Sequence, residues 1–77
     1  MNRETLDMVA NLMIPTMRMI NMTGGASDKA DVMNSVYIGQ MTGMTMMARY
    51  FGVDVEYLSD DGKFTMLVLN GHAMYEV

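Results

Sequence analysis

Residues 53–77 read VDVEYLSDDGKFTMLVLNGHAMYEV, and two dipeptides within them, Asp61-Gly62 and Asn70-Gly71, decide the fold. Each is a favoured centre of a two-residue type I′ hairpin turn, in which both central residues need positive φ. Two such turns make a three-stranded antiparallel meander. Counting outward from two-residue loops sets the register. Asp60 should face Lys63, Tyr57 should face Met66 and Val55 should face Val68. In the second hairpin Leu69 should face His72, Val68 should face Ala73 and Met66 should face Tyr75.

This register gathers Val53, Val55, Tyr57, Phe64, Met66, Val68, Ala73, Tyr75 and Val77 on one face, which we expect to pack on helices. The opposite face would carry Leu58, Leu67, Leu69 and Met74 in its middle. Asp54, Glu56, Asp60, Lys63, His72 and Glu76 would surround them. An apolar centre inside a charged rim is the layout of a protein-binding patch, whereas single scattered surface leucines would mean nothing.

Upstream, the spacing is helical. Leu6, Val9, Met13, Met17 and Ile20 recur along one stripe, with Asn2 as N-cap and Glu4 and Asp7 near the positive end. Pro15 either kinks this helix or starts a second one as its N1 residue. Thr23-Gly24-Gly25 ends the segment. A second helix should open at Ser27, with Asp28 and Asp31 in its first turn, and stop at Gly52. Its apolar positions are Met33, Val36, Tyr37, Met41, Met44, Met47, Ala48 and Phe51. The expected architecture is therefore one α+β domain over 1–77. Helical residues 2–51 cover one face of a β-meander at 53–77, in the order α-α-β-β-β.

Inside the second helix Ser35, Gly39 and Gly43 fall at i, i+4 and i+8, on one stripe. Each glycine costs about 1 kcal/mol relative to alanine there. A backbone settling closely into the stripe would offset that cost. Its occupant is either the first helix or the same helix of a second copy; a helix that breaks near Gly39 is the plainer account. Val32 to Ala48 is free of charged residues. It is still too short, and too interrupted by Asn34, Ser35, Gln40, Thr42 and Thr45, for a membrane span of about 20 residues.

Composition narrows the function. The 77 residues include no cysteine, which removes disulfides and thiolate metal sites and leaves oligomerisation as the way to enlarge a small core. The net charge is −4, and all of it lies on the C-terminal third: Asp54, Glu56, Asp60, Asp61 and Glu76 stand against Lys63. Such a surface is either a solvated face that aids solubility, the more ordinary use of surface acids, or one that meets a basic protein partner; it repels nucleic acid in both cases. The segment order would also fit a winged helix, but the second helix offers only Arg49, Gln40 and Asn34 to read DNA. The charged amino-terminal sequence shows no secretory signal, so we expect a cytoplasmic protein with no membrane partner.

Catalytic chemistry has little to use. His72 is the single histidine, the carboxylate pairs Asp54/Glu56 and Asp60/Asp61 fall on an outer face and in a turn, and no phosphate loop is present. Ser59–Lys63 is too short a loop to supply a hard metal with enough oxygens. The thirteen methionines suggest soft Cu(I) ligation at first sight. Gap-filling in an adaptable core is the ordinary use of such residues. We expect no catalytic residue, metal or cofactor.

The sequence thus points to a non-enzymatic, homodimeric module that binds and modulates or inhibits another protein. Its size suits an accessory protein of a phage or mobile element. The proposed contacts are Leu58, Leu67, Leu69, Met74, Asp54, Glu56, His72 and Glu76, with Ser35, Gly39 and Gly43 as a helix-packing or dimer groove. The alternative is a homo-oligomer that holds a small ligand in a methionine-lined pocket between subunits.

Overall fold

The helix α1 (Arg3–Met22) opens a computed structural model that describes residues 2–25 and 32–77. Asn2 caps the helix, its Oδ1 accepting from the Thr5 amide at 2.9 Å. The helix runs unbroken through Pro15. Pro15 and Asn11 are both exposed, so the Asn11 carbonyl, which Pro15 leaves without a helical donor, faces solvent. The expected stripe is the buried one: Leu6, Ala10, Met13, Met17 and Ile20 enter the core, with Val9 at its margin. Gly24 and Gly25 end the helix at positive φ, and the Gly25 amide donates to the Ile20 carbonyl at 2.8 Å, closing the wide turn of a Schellman stop.

The helix α2 (Val32–Tyr50) packs beside α1. The expected start at Ser27, Asp28 and Asp31 lies outside the described residues. Gly52 ends α2 as read, with φ +90° and the Val53 amide donating to the Ala48 carbonyl at 2.9 Å. The buried face of α2 differs from expectation. Met41 and Ala48 are buried, but so are Asn34 and Thr45, whereas Met33, Val36, Met47 and Phe51 are exposed. Polar contacts account for this. The Asn34 amide nitrogen lies 3.0–3.2 Å from the Ile20 carbonyl, the Thr23 hydroxyl and the Gly25 carbonyl, satisfying the open end of α1. Thr45 and Tyr57 share a hydroxyl–hydroxyl hydrogen bond. These contacts fix which side of α2 faces inward.

Strands β1 (Val55–Asp60), β2 (Lys63–Leu69) and β3 (Ala73–Glu76) form an antiparallel sheet in that order, with both helices on one face. The first turn is the two-residue type I′ turn expected, with Asp61 at φ +53° and Gly62 at φ +79°. Asp60 faces Lys63.

Two irregularities then overturn the rest of the counted register. A β-bulge at Thr65 sets two residues of β2 against Leu58, so Tyr57 faces Leu67 and Val55 faces Leu69. The second turn holds three residues, Asn70 to His72, so Leu69 faces Ala73, Val68 faces Met74, Leu67 faces Tyr75 and Met66 faces Glu76. Each change moves the parity of a strand by one residue. Leu67 and Leu69 are in the core at 0 % exposure; Met66 and Val68 stand on the outer side of the sheet, where Met66 is half-buried and Val68 is buried at 9 %.

The bulge coincides with a clamp from α1. The Asn21 side chain donates to the Phe64 carbonyl at 2.9 Å and accepts from its amide at 2.8 Å, as a neighbouring strand would. Beside it, a Cβ on Gly25 would lie 2.4 Å from the Gly62 carbonyl oxygen. The end of α1 and the first hairpin turn are thus in backbone contact. Asn21→Ala should lower the free energy of unfolding by about 2 kcal/mol, since two partly buried backbone groups lose their partner. Gly25→Ala should cost more than about 1 kcal/mol, from positive φ and the clash together. Urea denaturation of each variant checks both.

Candidate protein interface

The sheet face turned away from the helices can be laid out from the register. Glu56, Val68 and Met74 form one row across the three strands, and Leu58, Met66 and Glu76 form the next. Leu58, Met66, Val68 and Met74 therefore run as an apolar zigzag, with Glu56 on one edge strand and Glu76 on the other. Leu58 and Met74 are about half exposed, at 49 % and 53 %. Asp54 stands exposed before β1, its amide donating to Asn70 Oδ1 at 2.8 Å, and Asp60 and Lys63 close the far end.

Of the residues expected in this patch, Leu58, Met74, Asp54, Glu56 and Glu76 are present and accessible. Leu67 and Leu69 are not. The bulge and the longer turn put both in the core, so they cannot touch a partner. Met66 and Val68 stand on the outer side in their stead, Met66 half-buried and Val68 buried, an exchange that the counted register missed. The four consecutive apolar residues Met66–Leu69 held the signal: either parity of β2 yields two apolar faces. His72 lies in the second turn rather than in a strand, exposed, with Nδ1 2.9 Å from the Asn70 carbonyl oxygen.

The orientation of β3 depends on a link to α1. The Tyr75 hydroxyl donates to Asp7 Oδ1 at 2.6 Å, and Arg3 Nε donates to the same oxygen at 3.1 Å. The Arg3 guanidinium also lies 5.0 Å from the centre of the Tyr75 ring. Tyr75 is thereby drawn inward, which turns Met74 and Glu76 outward. The Tyr75 hydrogen bond holds the Asp7 carboxyl below its ordinary value against the opposing effect of burial, and the hydrogen bond and charge of Arg3 lower it further by lesser amounts. Burial, followed by the hydrogen bond to Asp7, pushes the Tyr75 hydroxyl up.

A second apolar feature lies between the helices. Val9, Leu12 and Met13 of α1, Met44, Met47 and Ala48 of α2, and Phe51 and Val53 just beyond α2 line a groove of about 260 Å³. It falls within one protomer, not between subunits. Ser35, Gly39 and Gly43 are exposed on α2, and a Cβ on either glycine would meet nothing within 4 Å among the described residues. Helix α1 does not fill that stripe.

Among the described residues no group of three histidine or acidic side chains is placed to hold a metal ion, and no helix is long and apolar enough to cross a membrane. The chain matches no protein family, no curated protein and no solved structure.

The two shifted groups define a pH window. A lowered Asp7 contributes stability above its unfolded value, about 3.8, and the contribution is lost as pH falls through the folded value. A raised Tyr75 contributes below its unfolded value, about 10, and loses that contribution as pH rises through the folded one. Tyr75→Phe should therefore lower the urea midpoint by a constant amount between these limits. The gap from wild type should narrow at either extreme.

Proposed function

We propose that this chain is a non-enzymatic cytoplasmic module that works as a homodimer and binds a basic protein through the outer sheet face, modulating or blocking it. One observation carries the reading: the apolar zigzag Leu58–Met66–Val68–Met74 is bounded by Glu56 and Glu76 at opposite edges, with Asp54 beyond them. Leu58 and Met74, the two exposed members of this zigzag, favour a partner over solvent, and the acidic corners select a basic one and speed its approach. A second copy suits this face less well, because it would bring the same acids against one another.

The helical groove supports a second reading. Its lining is apolar and includes three methionines, Met13, Met44 and Met47, which can repack around a small apolar ligand. On this reading, low-molecular-weight fractions of a cell extract raise the melting temperature of the protein.

The test of the first reading is capture from extract by wild type and by the triple variant Glu56→Lys, Met74→Asp, Glu76→Lys. A basic protein held by wild type in 50 mM salt should be lost at 500 mM and should not bind the variant, whose own unfolding curve stays two-state. Recovery of the same proteins by both chains would overturn the sheet-face assignment.

A further inference from the structure

We infer that the solvent face of α2 is the surface through which two copies of this chain associate. This rests on the homodimeric part of the reading above and assigns it to a surface distinct from the sheet patch. Successive helical residues turn by about 100°, so Val32, Gly39, Gly43 and Tyr50 lie roughly opposite the buried Met41, with Val36 and Met46 on either flank. All six are exposed, and none is charged. Ile38, Met47 and Phe51 extend the exposed apolar surface around the sides of the helix, and Phe51 and Met47 join it to the groove with α1.

Charge selects the occupant. From Val32 to Ala48 the helix carries no charged residue, and the Arg49 guanidinium that follows donates to the Val55 carbonyl at 3.0 Å. A basic partner therefore finds no acid to pair with, and an anionic lipid surface finds only one engaged cation. The face is neutral toward itself. Two copies related by a twofold axis would set it against its own image without confronting like charges, as an isologous contact requires.

Area agrees with this occupant. Tyr50 and Phe51, 85 % and 67 % exposed, offer about 300 Å² between them if a full aromatic side chain buries about 200 Å². A standard interface takes about 800 Å² from each partner, roughly a sixth of this chain's 5069 Å² of accessible surface. Val32, Val36, Met46 and Met47 add to this, with the polar Ser35, Gln40 and Thr42 at the margin of the face. These side chains make the contact. The open space above Gly39 and Gly43 sets how near the two backbones come.

The decisive measurement is molar mass by light scattering between 1 and 200 µM, for wild type and two double variants of equal helicity. Wild type should have twice the 8.6 kDa chain mass at the upper end. Val36→Glu with Met46→Glu buries a charge in the contact and should raise the dissociation constant at least roughly a hundredfold, giving a monomer. Leu58→Glu with Met74→Glu, on the sheet face, should remain a dimer. If the sheet-face variant is the monomer and the α2 variant the dimer, the α2 assignment is overturned while the homodimer stands. A monomeric wild type at every concentration overturns both. Flotation of wild type with phosphatidylcholine vesicles, as a monomer, would replace the second copy by a lipid surface and also overturn the inference.

Discussion

The Asn21 side chain supplies Phe64 with both backbone hydrogen bonds that a neighbouring strand would otherwise provide. Strand β3 ends at Glu76, opposite Met66, and does not reach Phe64. The helix therefore completes the sheet where the sheet runs short. Around this clamp the Schellman stop brings Gly25 against Gly62, and Asn34 ties the start of α2 to the end of α1. Three elements distant in sequence meet at one set of satisfied backbone groups, and the buried amides there cost little because each has its partners.

From that junction the placement of the surface side chains follows. Phe64 is held inward against Tyr57, their ring centres 5.3 Å apart. The next inward residue is Leu67, so one residue must be left over, and Thr65 is that residue. Its hydroxyl donates to the Leu58 carbonyl at 3.2 Å and its carbonyl accepts from the Val77 amide at 3.1 Å, so the bulge leaves its polar groups paired. The bulge thus determines that Leu67 and Leu69 fill the core and that Met66 and Val68 face outward. Exchanging flexible Met66 for Leu67 at the surface gives the patch a more adaptable centre.

The molecule presents two kinds of apolar surface. The sheet face is apolar with acidic corners, and the α2 face is apolar without charge. Methionine accounts for much of both surfaces, in Met46 and Met47 on the helix and in Met66 and Met74 on the sheet.

Local sequence suffices to read the element order, the N-cap at Asn2, the stops at Thr23–Gly25 and Gly52, the type I′ turn at Asp61-Gly62, and the buried stripe of α1. Each depends on local dihedral preference or on a short-range period, so neighbouring residues suffice to read it. The parity of β2 and the inward side of α2 came only with tertiary packing, whereas β3 keeps the faces counted for it, because the bulge and the longer turn cancel there. Met66–Leu69 is apolar at every position and fits the core in either phase, and the choice falls to Asn21, distant in sequence. Likewise the apolar residues of α2 are spread over several sides of the helix, so its hydrophobic pattern is weak, and the buried side is chosen by the hydrogen bonds of Asn34 and Thr45. Uniform hydrophobicity supplies driving force without direction; direction came from polar groups that must be paired when buried.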